Sequence, residues 1–392
     1  MSRTPRMLAA AIAATAIATA SAVAVTAANA AQAPGTARAA APAPHWRIVA
    51  AFPKQSSVDD LAASGPASAW AVESCRKPCA SANGVILRHW NGKTWQAQPQ
   101  PASAKHAGNA EPRLATAPGS PEVWAVYNEY DHKTRASVAE WTGTSWTHPT
   151  VFPVGTNFQN LAVAGSTLWA FGSKAEFGNT PYVVRFTGKS WSQAPSPGPA
   201  FGPWTAVARS ASDIWAQALP SQGGALQVSR WNGTRWVKQA VPPAPKSTAG
   251  SGSTGGLRGD LAVSGKDSVW TYGYFALKGA TATDWLQHWN GKAWSNVRVP
   301  YTLNESYMAG PIGPDGHGGA WFAATPAGTT REYLYHVSAA GQWSRVAIPA
   351  LKGAAGTWIS GFAAIPGTSS VYAYGGVTDA TSQRGVILKY AA

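Results

Sequence analysis

The chain has 392 residues, of which 20 are Trp and only 12% are charged, and its formal net charge is +14. Two cysteines are too few for a thiolate metal cluster. No run of five or more basic residues occurs, so the charge reads as scattered solvent-facing side chains and no specific nucleic-acid partner is expected.

In chain order, Arg3 and Arg6 precede an apolar Ala/Thr/Ile/Val run ending at Ala28-Asn29-Ala30. That pattern predicts a secretory signal peptide over residues 1–30. Its loss removes two arginines and leaves +12 (14 minus 2). Residues 31–44 are Ala/Pro-rich and read as a tether. No later segment reads as a membrane span, so no membrane association is expected after cleavage.

From residue 45 onward the chain is repetitive, and the repeat decides the architecture. One landmark is an aromatic followed by small and apolar residues: Trp70, Trp124, Trp169, Trp215, Trp270, Trp321 and Tyr372. Successive copies lie about 54, 45, 46, 55, 51 and 51 residues apart, the range of four-stranded propeller blades. A second landmark, aromatic-polar-Gly-x-x-Trp, recurs as Trp90 to Trp95, Trp141 to Trp146, Phe186 to Trp191, Trp231 to Trp236 and Trp289 to Trp294. Its Asn-Gly and Thr-Gly steps predict tight hairpins, because Gly tolerates positive φ. A looser copy runs from His336 to Trp343.

Each repeat therefore reads as strands A to D, with small residues in strand A near the crowded axis. Seven repeats predict an all-β, seven-bladed propeller of four-stranded antiparallel blades over residues 45–392. The last repeat stops at Tyr390 without a fourth strand, and the segment His45 to Pro53 resembles that missing strand. Pairing of Arg47–Ala50 with Val386–Tyr390 would close the ring. The one close cysteine pair, Cys75 and Cys79, is expected to form a local disulfide in the first B–C loop.

Chemistry is harder to find. There is no Gly-x-Ser-x-Gly elbow, and the eight His residues show no metal-ligand spacing. No cofactor and no metal are expected. His89, His288 and His336 share a strand C position with Glu140, Arg185, Arg230 and Lys389, which places them around the blade exteriors.

Seventeen of the 20 tryptophans fit the repeat, counting Trp46. Trp204, Trp285 and Trp358 do not. They fall at D–A or B–C connections, which share one face around the channel mouth. Residues opening strand A point to the same mouth: Asp60, Arg113, Asn160, Thr205 and Asp260, with Arg258 and Tyr307 nearby. Tyr127, Tyr130, Tyr274 and Phe275 come from B–C loops, and the low-complexity stretch from Pro243 to Gly256 reads as a flap. Aromatic platforms with mixed polar groups suit sugar rings or cationic groups.

The hairpins Gly92-Lys93-Thr94-Trp95 and Gly188-Lys189-Ser190-Trp191 resemble the turns of Asp-box propellers such as sialidases. The Asp of that box is replaced by Trp90, Trp141, Phe186, Trp231 and Trp289, so sialidase chemistry is not implied. Tyr374-Gly375-Gly376 is similar to kelch repeats and to the central domain of galactose oxidase, in one blade only and without a copper ligand set. The whole mature chain resembles secreted, Trp-rich propellers of actinobacterial type, to which no function is assigned. That resemblance implies fold and compartment rather than activity.

The reading is a secreted, extracellular, monomeric propeller that binds a glycan, an anionic wall polymer or a protein at the D–A/B–C face without catalysis, free or associated with the cell wall. Trp204, Trp285, Trp358, Asp60, Arg113, Asn160, Asp260, Arg258 and Tyr307 would line the site. One alternative is a carbohydrate hydrolase or lyase with acidic residues assembled from different blades. Another is an envelope scaffold with no small-molecule site.

Overall fold

A computed structural model describes residues 43–76, 81, 83–106, 112–129, 134–174, 180–198, 204–218, 227–243, 258–275, 283–300, 310–329, 331–379 and 381–391. The signal peptide, Cys79, Tyr130, Tyr307 and residues 244–256 of the expected flap lie outside them, as do the side chains of Trp204, Arg258, Tyr274, Phe275 and Trp285.

The first strand is β1 (His45–Lys54). Blade one follows as β2 (Ser56–Gly65), β3 (Ser68–Cys75), β4 (Val85–Trp90) and β5 (Trp95–Gln98). Blade two is β6 (Arg113–Ala115), β7 (Val123–Glu129), β8 (Arg135–Trp141) and β9 (Trp146–Val151). Blade three is β10 (Thr156–Ala164), β11 (Thr167–Lys174), β12 (Thr180–Phe186) and β13 (Trp191–Gln193). Blade four is β14 (Trp204–Ser210), β15 (Asp213–Ala218), β16 (Gln227–Trp231) and β17 (Trp236–Lys238). Blade five is β18 (Arg258–Gly265), β19 (Ser268–Phe275), β20 (Thr283–Trp289) and β21 (Trp294–Val297). Blade six is β22 (Ile312–Pro314), β23 (Ala320–Ala324), β24 (Tyr333–Val337) and β25 (Trp343–Ala347). Blade seven is β26 (Gly356–Ala364), β27 (Val371–Thr378) and β28 (Gln383–Ala391), completed by β1. Every sheet is antiparallel, and the seven sheets make the expected propeller.

Closure follows the expected register. Trp46 pairs with Tyr390, Arg47 with Lys389 and Ala51 with Val386. Gln55 then turns the chain into blade one in a left-handed conformation, φ 67°. Its amide donates to Gln383 O at 2.6 Å, and its carbonyl accepts from the Arg76 amide at 2.8 Å.

The C–D hairpins are longer than the tight turns expected. Trp90 pairs with Trp95, leaving four residues between them. The Asn91 side chain accepts from the amides of Lys93 and Thr94, both at 3.0 Å, which stabilises the longer loop. Gly92 alone within it takes positive φ, 89°, so the expected need for glycine holds while the loop length does not.

The core sits between blades rather than within them. Trp70, Val72 and Leu87 of blade one pack on Leu114, Val123, Tyr127 and Trp141 of blade two. Blades three and four repeat the scheme with Trp169, Phe171, Ile214 and Trp231. At the closure, Trp46 is 5% exposed and meets Trp321 edge-on at 5.1 Å, Tyr390 at 5.4 Å and Phe362 at 6.2 Å. The ring of Trp46 thus joins blade six to blade seven.

The strand C basic residues do not stand free on the exterior. Each covers the landmark aromatic of its own blade. His89 stacks on Trp70 at 4.5 Å, His288 on Trp270 at 3.9 Å and His336 meets Trp321 at 4.6 Å. Arg185 lies 5.9 Å from the Trp169 ring, Arg230 5.1 Å from Trp215 and Lys389 5.9 Å from Tyr372. The cause is register: the landmark and the strand C residue are directly paired across the ladder, as Trp70 with His89.

Trp46→Ala removes a buried ring that bridges two blades, so it should cost about 3–5 kcal/mol. Equilibrium denaturation of the variant checks this, and an unchanged midpoint would mean that β1 is dispensable for closure.

Candidate functional site

One register of strand A falls near the D–A/B–C end of each blade. This is the residue two positions before the partner of each landmark aromatic. Around the ring that register holds Asp60, Arg113, Asn160, Thr205, Asp260, Pro311 and Gly361. The five polar members are the expected ones. Bulges in β2, β10 and β26, just before Asp60, Asn160 and Gly361, re-aim the strand at this point.

Three of these side chains hold the next blade. Asp60 Oδ2 accepts from the Leu114 amide at 2.7 Å. Asn160 Oδ1 accepts from the Ala206 amide at 3.1 Å, and Asp260 Oδ2 from the Ile312 amide at 3.4 Å. Blades one, three and five thus latch blades two, four and six in the same way. Elsewhere the job passes to strand B or the B–C loop. Asn128 exchanges two hydrogen bonds with Phe158, Gln217 donates to Tyr272 O, and Glu332 Oε2 accepts from the Ile359 amide at 2.7 Å.

The blade-to-blade chemical variation at this register is therefore partly structural. A strand A amide shut between blades needs an acceptor, and in these blades the acceptor comes from whichever neighbouring side chain reaches it.

Ionisable groups from several blades couple at this end of the ring. Burial raises the Asp60 carboxyl above its ordinary 3.8, against the opposing pull of the Arg113 charge and of three hydrogen bonds, from the Leu114 and Leu61 amides and the Tyr374 hydroxyl. Burial also pushes the Tyr374 phenol far up, helped by the negative charges of Asp60 and Asp260, so it stays protonated and donates to Asp60 at 3.3 Å. Two carboxyls, a guanidinium and a phenol thus feel one another here. Tyr374 is buried and spends its hydroxyl on Asp60, which also accepts from the Leu61 and Leu114 amides.

Tyr374 and Glu332 are members that sequence reading misses. Gly361 makes room for Tyr374: a Cβ on Gly361 would collide with the phenol ring. Glu332 follows no repeat pattern, so only the folded loop shows it beside blade seven. Burial raises its carboxyl from 4.5 to about 8.

Trp204, Trp285 and Trp358 lie on strands rather than in connections, paired with Ala218, Gly273 and Gly376. All three are at the D–A/B–C end of their blades. Trp358 is half-buried, and its indole lies over Gly376, where a Cβ would collide with the ring. Gly375 admits the bulged backbone of Trp358 and Ile359. The double glycine of this blade therefore has a local packing cause. Among the described residues no group of three or more His, Cys, Asp or Glu could hold a metal ion.

No family model matches the sequence, and no curated protein matches it. Solved structures show the same propeller class. The β-propeller domain of the Trilobed protease from Pyrococcus furiosus aligns with a TM-score of 0.51 at 14% identity, over 86% of this chain and 96% of that one. A GH74 enzyme from Niastella koreensis aligns at 0.54 and 11% identity, over 86% of this chain and 55% of that one. Oligogalacturonate lyase in complex with manganese aligns at 0.50 and 9% identity, over 89% and 96%. At these identities the likeness is one of fold.

The raised Glu332 sets a sign. Between about 4.5 and about 8 the folded chain holds a proton that the unfolded chain releases, so stability falls as pH rises through that window. Glu332→Gln should remove that part of the slope, leaving the like-signed contribution of Asp60. Denaturation midpoints at pH 5 and pH 8 measure it, and an equal drop in both proteins would refute the assignment.

Proposed function

We propose that this chain is a secreted propeller that binds an extracellular glycan, wall polymer or protein at the D–A/B–C face, without catalysis. The observation that carries the reading is the electrostatic coupling of Tyr374 to Asp60, Arg113 and Asp260, which come from blades seven, one, two and five, with Trp358 at the D–A/B–C end of blade seven. Hydroxyl-rich ligands are recognised by such a mix of acceptors, a planar cationic donor and an aromatic face. Asn160, Thr205, Trp204, Trp285, Arg258 and Tyr307 belong to the same proposed surface. A cleaved signal peptide over residues 1–30, a tether over 31–44 and a Cys75–Cys79 disulfide are parts of the same proposal, since each suits an extracellular protein.

A glycan and wall-polymer array probed with residues 31–392 tests it. Arg113→Gln and Trp358→Ala should each weaken capture by about tenfold, in line with the loss of one charged hydrogen bond or one stacked ring. Capture of nothing, or capture indifferent to both changes, would sink the proposal.

A second reading, a carbohydrate hydrolase or lyase, is favoured by one feature: a carboxyl held protonated near neutral pH, Glu332, on the same face as the ionisable Asp60. Turnover of a glycan that disappears in Glu332→Gln while binding persists would select it.

A further inference from the structure

The opposite face of the ring, formed by A–B and C–D turns, holds a second site between blades two and three. A cavity of about 170 Å³ there is walled by Trp124 and Phe186 and carries Glu122, Glu140 and His148. Gly165 and Gly188, from the turns of blade three, complete its rim.

The other six blades serve as the internal control. In each, the landmark aromatic is covered by a basic side chain of strand C: His89, Arg185, Arg230, His288, His336 or Lys389. Burial lowers His89 and His288 below the ordinary imidazole range, whereas Arg185, Arg230 and Lys389 bring a cation. In blade two this position is Glu140, paired directly with Trp124 across the ladder. The charge is inverted where an aromatic face ordinarily meets a base.

A second acid reinforces the inversion. Burial raises the Glu140 carboxyl above its ordinary 4.5, the Glu122 charge raises it further, and His148 opposes them. His148 is the bulge residue of β9, in a left-handed conformation with φ 50°. Its Nε2 lies 3.9 Å from Glu140, too long for a hydrogen bond, and its ring is parallel to Trp124 at 6.5 Å. Even when protonated, one imidazole balances only one of two carboxylates. A pocket with surplus negative charge on a chain of +14 runs against the global field.

We infer that this cavity between blades two and three is a binding site for an alkylammonium group, which takes the place over Trp124 that a basic side chain holds in every other blade. The aromatic walls supply cation–π attraction, and Glu122 and Glu140 supply counter-charge. This site shares no residue with the channel face, so it stands or falls separately from the function proposed above.

Calorimetric titration of the full chain with tetramethylammonium and with n-butylammonium, at constant ionic strength, tests the inference. Saturable binding of either ion at one site per chain is expected. The indole N–H resonance of Trp124 should shift during the titration. Glu140→Arg installs the residue of blades three and four and should weaken binding by roughly tenfold or more, through occlusion and charge reversal. Glu122→Gln, at an exposed position that leaves the core intact, should weaken it severalfold. Absence of saturable binding by both ions, or binding unchanged in Glu122→Gln and Glu140→Arg, would overturn the site.

Discussion

The structure depends on one constraint: a blade cannot bury its aromatic faces by itself. Trp70 needs Leu114 and Trp141 of the next blade, and Trp321 needs Trp46 and Tyr390. Every sheet must therefore have two neighbours, and the chain must bend into a ring. Strand β1 completes the last pair of faces and covers the edge of β28, giving blade seven the same four strands as the others. Burial and edge protection, separate problems in an open sheet, have one solution here.

Closing a ring also creates buried strand A amides that face a neighbouring blade. Asp60, Asn160 and Asp260 answer that need by a shared geometry, Asn128 answers it from strand B, and Glu332 from the B–C loop. Polar residues near the axis consequently serve two ends. Their oxygen atoms hold the ring together, and their charges set the field of the channel mouth. Arg113 and Tyr374 gain their importance from standing beside such a latch.

Much of this was legible in the chain. The spacing of Trp70, Trp124, Trp169 and their equivalents counts blades, because each blade needs one large aromatic at the same register. The orphan segment at Trp46 identifies its partner by exclusion, since only the last repeat lacks strand D. The polar register Asp60, Arg113, Asn160, Thr205, Asp260 was equally visible. Its use as a set of latches was not, because an interblade hydrogen bond joins residues 46 to 54 positions apart and leaves no local pattern. Tyr374 and Glu332 were hidden for the same reason: one reaches its partner through a gap at Gly361, the other from a loop with no period.

The inverted position of Glu140 lies between these cases. Its alignment with His89, Arg185, Arg230, His288, His336 and Lys389 can be read from the repeat. What that alignment means requires the ladder, where the strand C residue meets the landmark ring of its own blade. Sequence alone determined the blade count, the strand alternation and the identity of the closing strand, because hydrophobic period and turn chemistry are local and repeat seven times. Tertiary structure decided which polar groups bind the blades to one another and which face a cavity, because those contacts cross between blades and depend on where the ring brings them together.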